Sequence, residues 1–110
     1  LSHMGYVLAT VYPDGYCDFD LNSTRFCSIG IRGESGPNAG RIHDRYTPGL
    51  HHIGWEAESR ADVDALYTLL QKIGATILDA PAEYPQYGPT YYAVFFADPD
   101  GLKLEYVHKP

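Results

Sequence analysis

The chain has 110 residues, a formal net charge of −6 and 45% hydrophobic residues. That length suits one small domain with a modest core. The acidic balance argues against nucleic acid as a partner, because a phosphate backbone is bound through basic surface. No apolar run approaches the roughly 18 residues of a membrane-spanning helix, so a membrane partner is not expected and a cytoplasmic location is the default.

The first half of the sequence predicts a short antiparallel meander. Residues 1–6 are typical of a helix end stopped by Gly5, although Ser2-His3-Met4 would also fit an expression-vector remnant. Three strand-like runs follow, separated by turn residues, at 7–12, 16–21 and 25–32. Residues 33–49 hold four glycines and two prolines, which is typical of a linker.

The second half contains one clear helix signal after an extended segment at residues 50–58. Ser59 is followed three positions later by Asp62, a variant of the capping box that begins helices. Apolar residues then recur at steps of three and four, which predicts a helix over residues 59–73 with one buried face. The members of that face are Val63, Leu66, Leu70 and Ile73.

Three strands are predicted after the helix, which Gly74 ends. They lie at residues 76–78, 91–97 and 102–107, with a proline-rich loop at 80–89 and a tight turn in the sequence Asp98-Pro99-Asp100-Gly101. The second half is therefore expected to be β-α-β-β-β.

This order, the opening segment Leu50-His51-His52-Ile53-Gly54-Trp55 and the DPDG turn followed by Glu105 resemble one βαβββ module of the vicinal oxygen chelate superfamily. That group includes glyoxalase I, fosfomycin- and bleomycin-resistance proteins and extradiol dioxygenases. The resemblance implies an α+β fold of paired βαβββ modules forming a curled, mostly antiparallel sheet around a cleft. Residues 50–110 would be the complete second module. Residues 1–49 would be a first module and linker lacking the opening strand and most of the helix.

The resemblance also implies a metal site. His52 and Glu105 match the family's ligands on its opening and closing strands, with Glu105 as the catalytic residue. Nitrogen and carboxylate donors suit Zn, Ni, Mn, Co or Fe(II). Strand alternation puts His52 on the polar face with Gly54, and His51 on the apolar face with Trp55. His51 stays open as the alternative ligand.

Two classes of function follow from the resemblance. The first is a divalent-metal-dependent enzyme of lyase, transferase or dioxygenase type, whose small oxygenated substrate is chelated by the metal. The alternative is a metal-free protein that binds a small molecule or drug on the same fold. Tyr91 and Tyr92 flank the expected cavity, and Tyr92 is the candidate for substrate contact.

The first half offers no ligand to such a site, because Phe26, Ser28 and Gly30 occupy the expected inward face of its last strand. A module without its opening strand would also leave an unpaired sheet edge, and such edges recruit another chain. We therefore expect either further residues before Leu1 in the native protein or a homodimer in which two chains complete the cleft.

Overall fold

The computed structural model describes residues 1–23 and 27–110, so the predicted inward position of Phe26 lies outside the described residues. Two compact units are present, at residues 1–40 and 41–110. The described part has one α-helix and two sheets, of three and four strands, with mostly antiparallel pairing. The predicted α+β class of βαβββ type is therefore confirmed. No described helix is long and apolar enough to cross a membrane.

The unit at 1–40 is a three-stranded antiparallel meander. A single 3-10 turn, Ser2–Met4, ends at Gly5, whose φ of 86° gives the left-handed geometry expected of a helix stop. The strands are β1 (Tyr6–Val11), β2 (Cys17–Leu21) and β3 (Ser28–Ile31), in that order across the sheet.

The unit at 41–110 contains the predicted β-α-β-β-β order. Its strands are β4 (His52–Glu56), β5 (Thr76–Glu83), β6 (Tyr92–Ala97) and β7 (Lys103–His108), and its helix is α1 (Arg60–Lys72). The sheet order is β4-β7-β6-β5. The pairing of β4 with β7 is parallel, and the other two pairings are antiparallel.

Helix α1 begins as its capping signal predicts. The Ser59 hydroxyl accepts a hydrogen bond from the Asp62 backbone N–H at 3.1 Å, and the Asp62 carboxylate accepts one from the Glu58 N–H. The helix packs on β5, β6 and β7. From β7, the Tyr106 hydroxyl donates to Asp62 at 2.6 Å and ties the first turn of the helix to the sheet.

The apolar face of α1 is confirmed at three of its four positions. Val63, Leu66 and Leu70 are buried, whereas Ile73 is 66% exposed. The prediction for Ile73 was wrong because the helix ends at Lys72. Ile73 is the capping residue, at φ −88° and ψ 1°, where the chain leaves the helical path.

Strand β5 is longer than predicted, because it runs through residues 80–83, which were expected to form a loop. It lies at an edge of the sheet and its pairing with β6 shifts register between Ile77 and Asp79 and again between Asp79 and Ala82. An edge strand with bulges accommodates Pro81, since the missing N–H need not bond to a neighbour.

Candidate active site

The candidate site lies on the face of the four-stranded sheet opposite α1. In the register of the sheet, Glu105 of β7 stands between Gly54 of β4 and Phe95 of β6. His52 stands opposite Lys103 in the same β4–β7 pair. Because side chains alternate along a strand, all five residues share one face. The other face carries Tyr106 and its bond to the helix.

Glu105 is the buried charged residue of this face, with only 4% of its surface exposed. Its two carboxylate oxygens have different partners. Oε1 accepts a hydrogen bond from the Tyr91 hydroxyl, and Oε2 lies 3.4 Å from Nε2 of His52. A buried carboxylate is costly unless its oxygens are partnered. These two contacts fix the orientation of the carboxylate as well as offsetting its desolvation.

Gly54 provides the space that the carboxylate occupies. A Cβ atom at this position would lie 3.2 Å from Oε2 of Glu105, closer than most real Cβ contacts. The glycine therefore lets β4 approach the carboxylate closely, which brings His52 of the same strand within reach of Oε2.

Tyr91 is held in its protonated form. Burial raises the pKa of its hydroxyl above the ordinary value, and the hydrogen bond to Glu105 and the charge of that carboxylate raise it further. Because the phenol keeps its proton at neutral pH, it acts toward Glu105 as a donor.

His51 and His52 form a pair of adjoining imidazoles. Their Nδ1 atoms are 2.7 Å apart and their rings meet edge to face. A contact of this kind needs one Nδ1 to donate and the other to accept. Desolvation lowers the pKa of His51 first, followed by the nearby charges of His52, Lys103 and Arg45, so the neutral form of His51 is favoured.

These residues line a pocket of about 300 Å³ within the unit at 41–110. Its walls combine three aromatic rings with two imidazoles, one ammonium and one carboxylate. The aromatic rings continue away from the pocket, since Tyr84 packs edge to face on Phe95 and stacks on Tyr87. The lining residues are His51, His52, Tyr87, Tyr91, Phe95, Lys103 and Glu105.

The fold brings two of the predicted site residues together and leaves one outside. His52 and Glu105 meet, and the alternative ligand His51 lies beside them. Tyr92 does not line this pocket. Its hydroxyl donates to Asp64 of α1 at 2.8 Å. Tyr91 lies at the pocket in its place, because the odd-numbered residues of this segment face the same way as Phe95.

The donor pair fits part of a metal shell. Metal–nitrogen and metal–oxygen bonds of about 2.1 Å at a tetrahedral angle separate two donor atoms by about 3.4 Å, which is also the distance between His52 Nε2 and Glu105 Oε2. Within residues 1–23 and 27–110, no group of three or more histidine, cysteine or acidic side chains could hold a metal ion. The described chain therefore offers half of a four-coordinate shell.

Comparison with known proteins decides the family. The sequence profile of the Glyoxalase/Bleomycin resistance protein/Dioxygenase superfamily matches residues 8–106. The chain belongs to this superfamily. The resemblance of the second half is therefore confirmed, and membership extends into the first half as well. A match of this breadth includes most of β1, all of β2 and β3, and both His52 and Glu105.

Solved structures of the superfamily have the same fold. A glyoxalase-type protein from Bacillus halodurans aligns with a TM-score of 0.75 and 26% identity, covering 98% of this chain and 78% of that protein. A superfamily domain from Frankia sp. EAN1pec aligns at 0.72 and 22%, covering 96% and 79%. The fosfomycin resistance protein FosX of Listeria monocytogenes aligns at 0.63 and 14%, covering 97% and 75%, which shows a shared fold alone.

One curated relative matches by sequence. The uncharacterised protein YqjT of Bacillus subtilis (strain 168) is 35% identical over 65 residues, which are 59% of this chain and 51% of that protein. The matched region thus spans about half of the relative's length.

Proposed function

We propose that the pocket binds one divalent cation through His52 and Glu105, and that the protein acts on a small oxygenated molecule held there by lyase, transferase or dioxygenase-type chemistry. The approach of His52 Nε2 to 3.4 Å from a buried carboxylate oxygen carries this proposal. Imidazole and carboxylate donors suit Zn, Ni, Mn, Co or Fe(II). When bound, such a cation supplies Lewis acidity to adjacent substrate oxygens.

The surrounding residues support this role by fixing the two donors. Tyr91 donates to Oε1 of Glu105 and so leaves Oε2 directed toward His52. His51, as a neutral imidazole, can accept a hydrogen bond from the Nδ1–H of His52, which leaves the Nε2 lone pair of His52 free to ligate. Partners of this kind set the tautomer and orientation of metal ligands. Glu105 lines the pocket and is the proposed catalytic residue.

Metal content measured per chain tests the proposal. We expect about one equivalent in the wild type, lost in His52→Ala because the nitrogen donor is removed, and reduced in Glu105→Gln because a neutral amide oxygen replaces a charged carboxylate. The matched control is Glu56→Gln, since Glu56 is an exposed carboxylate on the same strand as His52. His51→Ala is measured beside it as the variant of the alternative ligand, and as the partner of His52 it should weaken binding less than His52→Ala does. Binding should weaken as pH falls through the histidine range, because only neutral imidazole ligates.

Two results would redirect or end the proposal. Equal metal content in wild type and His52→Ala would rule out His52 as a ligand. Loss in His51→Ala with retention in His52→Ala would move the site to the neighbouring imidazole.

The second candidate function is a metal-free protein that binds a small molecule or drug. It is favoured by the aromatic lining of the pocket and by the presence of two donors, rather than three, among the described residues. Wild-type protein that takes up no metal from a saturating solution, yet still binds small molecules in the pocket, would establish this alternative.

A homodimer is our proposal for how the shell is completed. Strand β4, which carries His52, is an edge strand of its sheet, and an edge presents unpaired backbone groups to a further chain. Light scattering on the samples used for metal analysis shows whether metal content and a dimeric mass occur together, as the proposal requires.

A further inference from the structure

The pocket places one lysine beside one carboxylate and two imidazoles, in a chain whose net charge is −6. With both imidazoles neutral, the formal charges of Lys103 and Glu105 balance. Glu105 already has partners in Tyr91 and His52. Whether the pocket can hold an anion therefore depends on whether the Lys103 ammonium has a partner as well.

Lys103 is the full positive charge of this lining. Its Nζ atom lies 4.2 Å from the centroid of the Phe95 ring, on the face shared by Glu105 and His52. The aromatic ring holds the ammonium in place without neutralising it. Contact with the face of an aromatic ring also leaves N–H donors of the ammonium available for a further partner.

The Lys103 ammonium is not neutralised by a carboxylate within residues 1–23 and 27–110, where it forms no salt bridge. The nearest carboxylate along the strand, Glu105, has its two oxygens directed to Tyr91 and His52. An ammonium that lines a pocket and has no carboxylate partner among the described residues is available to a ligand.

We propose that the pocket selects a small organic anion, whose charged group contacts the Lys103 ammonium while its apolar part packs on Phe95 and Tyr87. This inference rests on the proposed function, because it names the substrate class of the same pocket. A pocket of about 300 Å³ is at the lower end of the size range of small-molecule sites, so the ligand is small. Lys103 would thus determine specificity by charge.

Benzoate and its neutral analogue benzamide provide the test. Each is titrated into isotope-labelled protein, once with a chelator present and once with metal added, and the amide shifts of β6 and β7 are followed by NMR. We expect benzoate to bind more tightly than benzamide. Lys103→Met should weaken benzoate by about tenfold or more, because a hydrogen bond to a charged group is lost. Lys103→Arg should retain most of the affinity.

Lys72→Met is the matched control. It removes the same charge from the last residue of α1, away from the pocket, and should leave benzoate affinity unchanged. Equal affinity for benzoate and benzamide, or equal weakening in Lys72→Met and Lys103→Met, would overturn the inference. The chelated samples separate it from the metal proposal. A charge preference that depends on Lys103 without metal supports the inference even if no metal is ever bound. Metal uptake without that charge preference would overturn the inference and leave the metal proposal standing.

Discussion

Replacement of Tyr91 by Phe isolates the hydrogen bond that orients Glu105. The substitution removes a single oxygen atom and keeps the ring, which packs edge to face on Tyr84 and Tyr87. In the variant, Oε1 of Glu105 loses the hydrogen bond that the Tyr91 hydroxyl donates, although Glu105 is only 4% exposed. Hydrogen bonds to charged groups contribute about 1.5–3 kcal/mol, and loss of the donor leaves the acceptor with its desolvation cost.

The lower end of that range is expected, because the pocket admits water that can partly replace the phenol. Urea unfolding with a chelator present measures the free energy of unfolding, and an unchanged slope would show that the denatured state is unaffected. Tyr87→Phe is the matched control, since it removes the same atom from a ring that is 63% exposed. It should change stability by less than about 0.5 kcal/mol.

The same pair of variants tests the role of Tyr91 at a metal. Loss of a group that orients a ligand typically weakens metal affinity by about 10- to 100-fold, so Tyr91→Phe should bind metal more weakly and Tyr87→Phe should not. If Tyr91→Phe matched Tyr87→Phe in both stability and metal affinity, the hydrogen bond to Glu105 would have no energetic importance and the reasoning would fail.

Two further predictions concern the opposite face of the sheet. Leu66→Ala should lower the free energy of unfolding by about 2–5 kcal/mol, because Leu66 is 4% exposed and its truncation leaves a cavity; a loss below about 1 kcal/mol by calorimetry would contradict this packing. Burial first, and then the hydrogen bond to Asp62, raises the pKa of Tyr106 in the folded protein. The stability that protonated Tyr106 contributes is therefore complete below the unfolded tyrosine pKa of about 10, and it is lost as pH rises through the higher folded pKa. Tyr106→Phe should therefore flatten the alkaline decline in stability, and parallel curves for variant and wild type would refute the shift.

The sequence predicted the elements whose signals are local. Ser59 and Asp62 mark the start of α1 because a capping hydrogen bond spans three residues and needs no tertiary context. Apolar spacing does not define the end of the helix, since Ile73 continues the spacing and lies outside the last turn. A proline at position 81 predicts a loop from local sequence, whereas its place inside β5 depends on the edge position of that strand, which is a property of the sheet.

Strand alternation predicts which side chains share a face only where the register of the strand is known. His52 and Glu105 were predicted from the resemblance of their two strands to the family pattern, and the fold brings His52 Nε2 within 3.4 Å of Glu105 Oε2. The choice between Tyr91 and Tyr92 depended on the register of β6 against β7, and a shift of one residue exchanges the two faces. Lys103 carried no local signal, because its place in the pocket comes from the pairing of β7 with strands on either side.

The parallel pairing of β4 with β7 has a consequence for the order of events in folding. One helix and two strands lie between β4 and β7 in the sequence, so the pairing of β7 with β4 closes a long loop. Contacts between segments so distant in sequence form late, since the intervening loop must first be closed. A ligand that joins His52 to Glu105 ties an edge strand to the interior of the sheet and opposes its fraying. Occupancy of the pocket and attachment of that edge are then linked, so each strengthens the other.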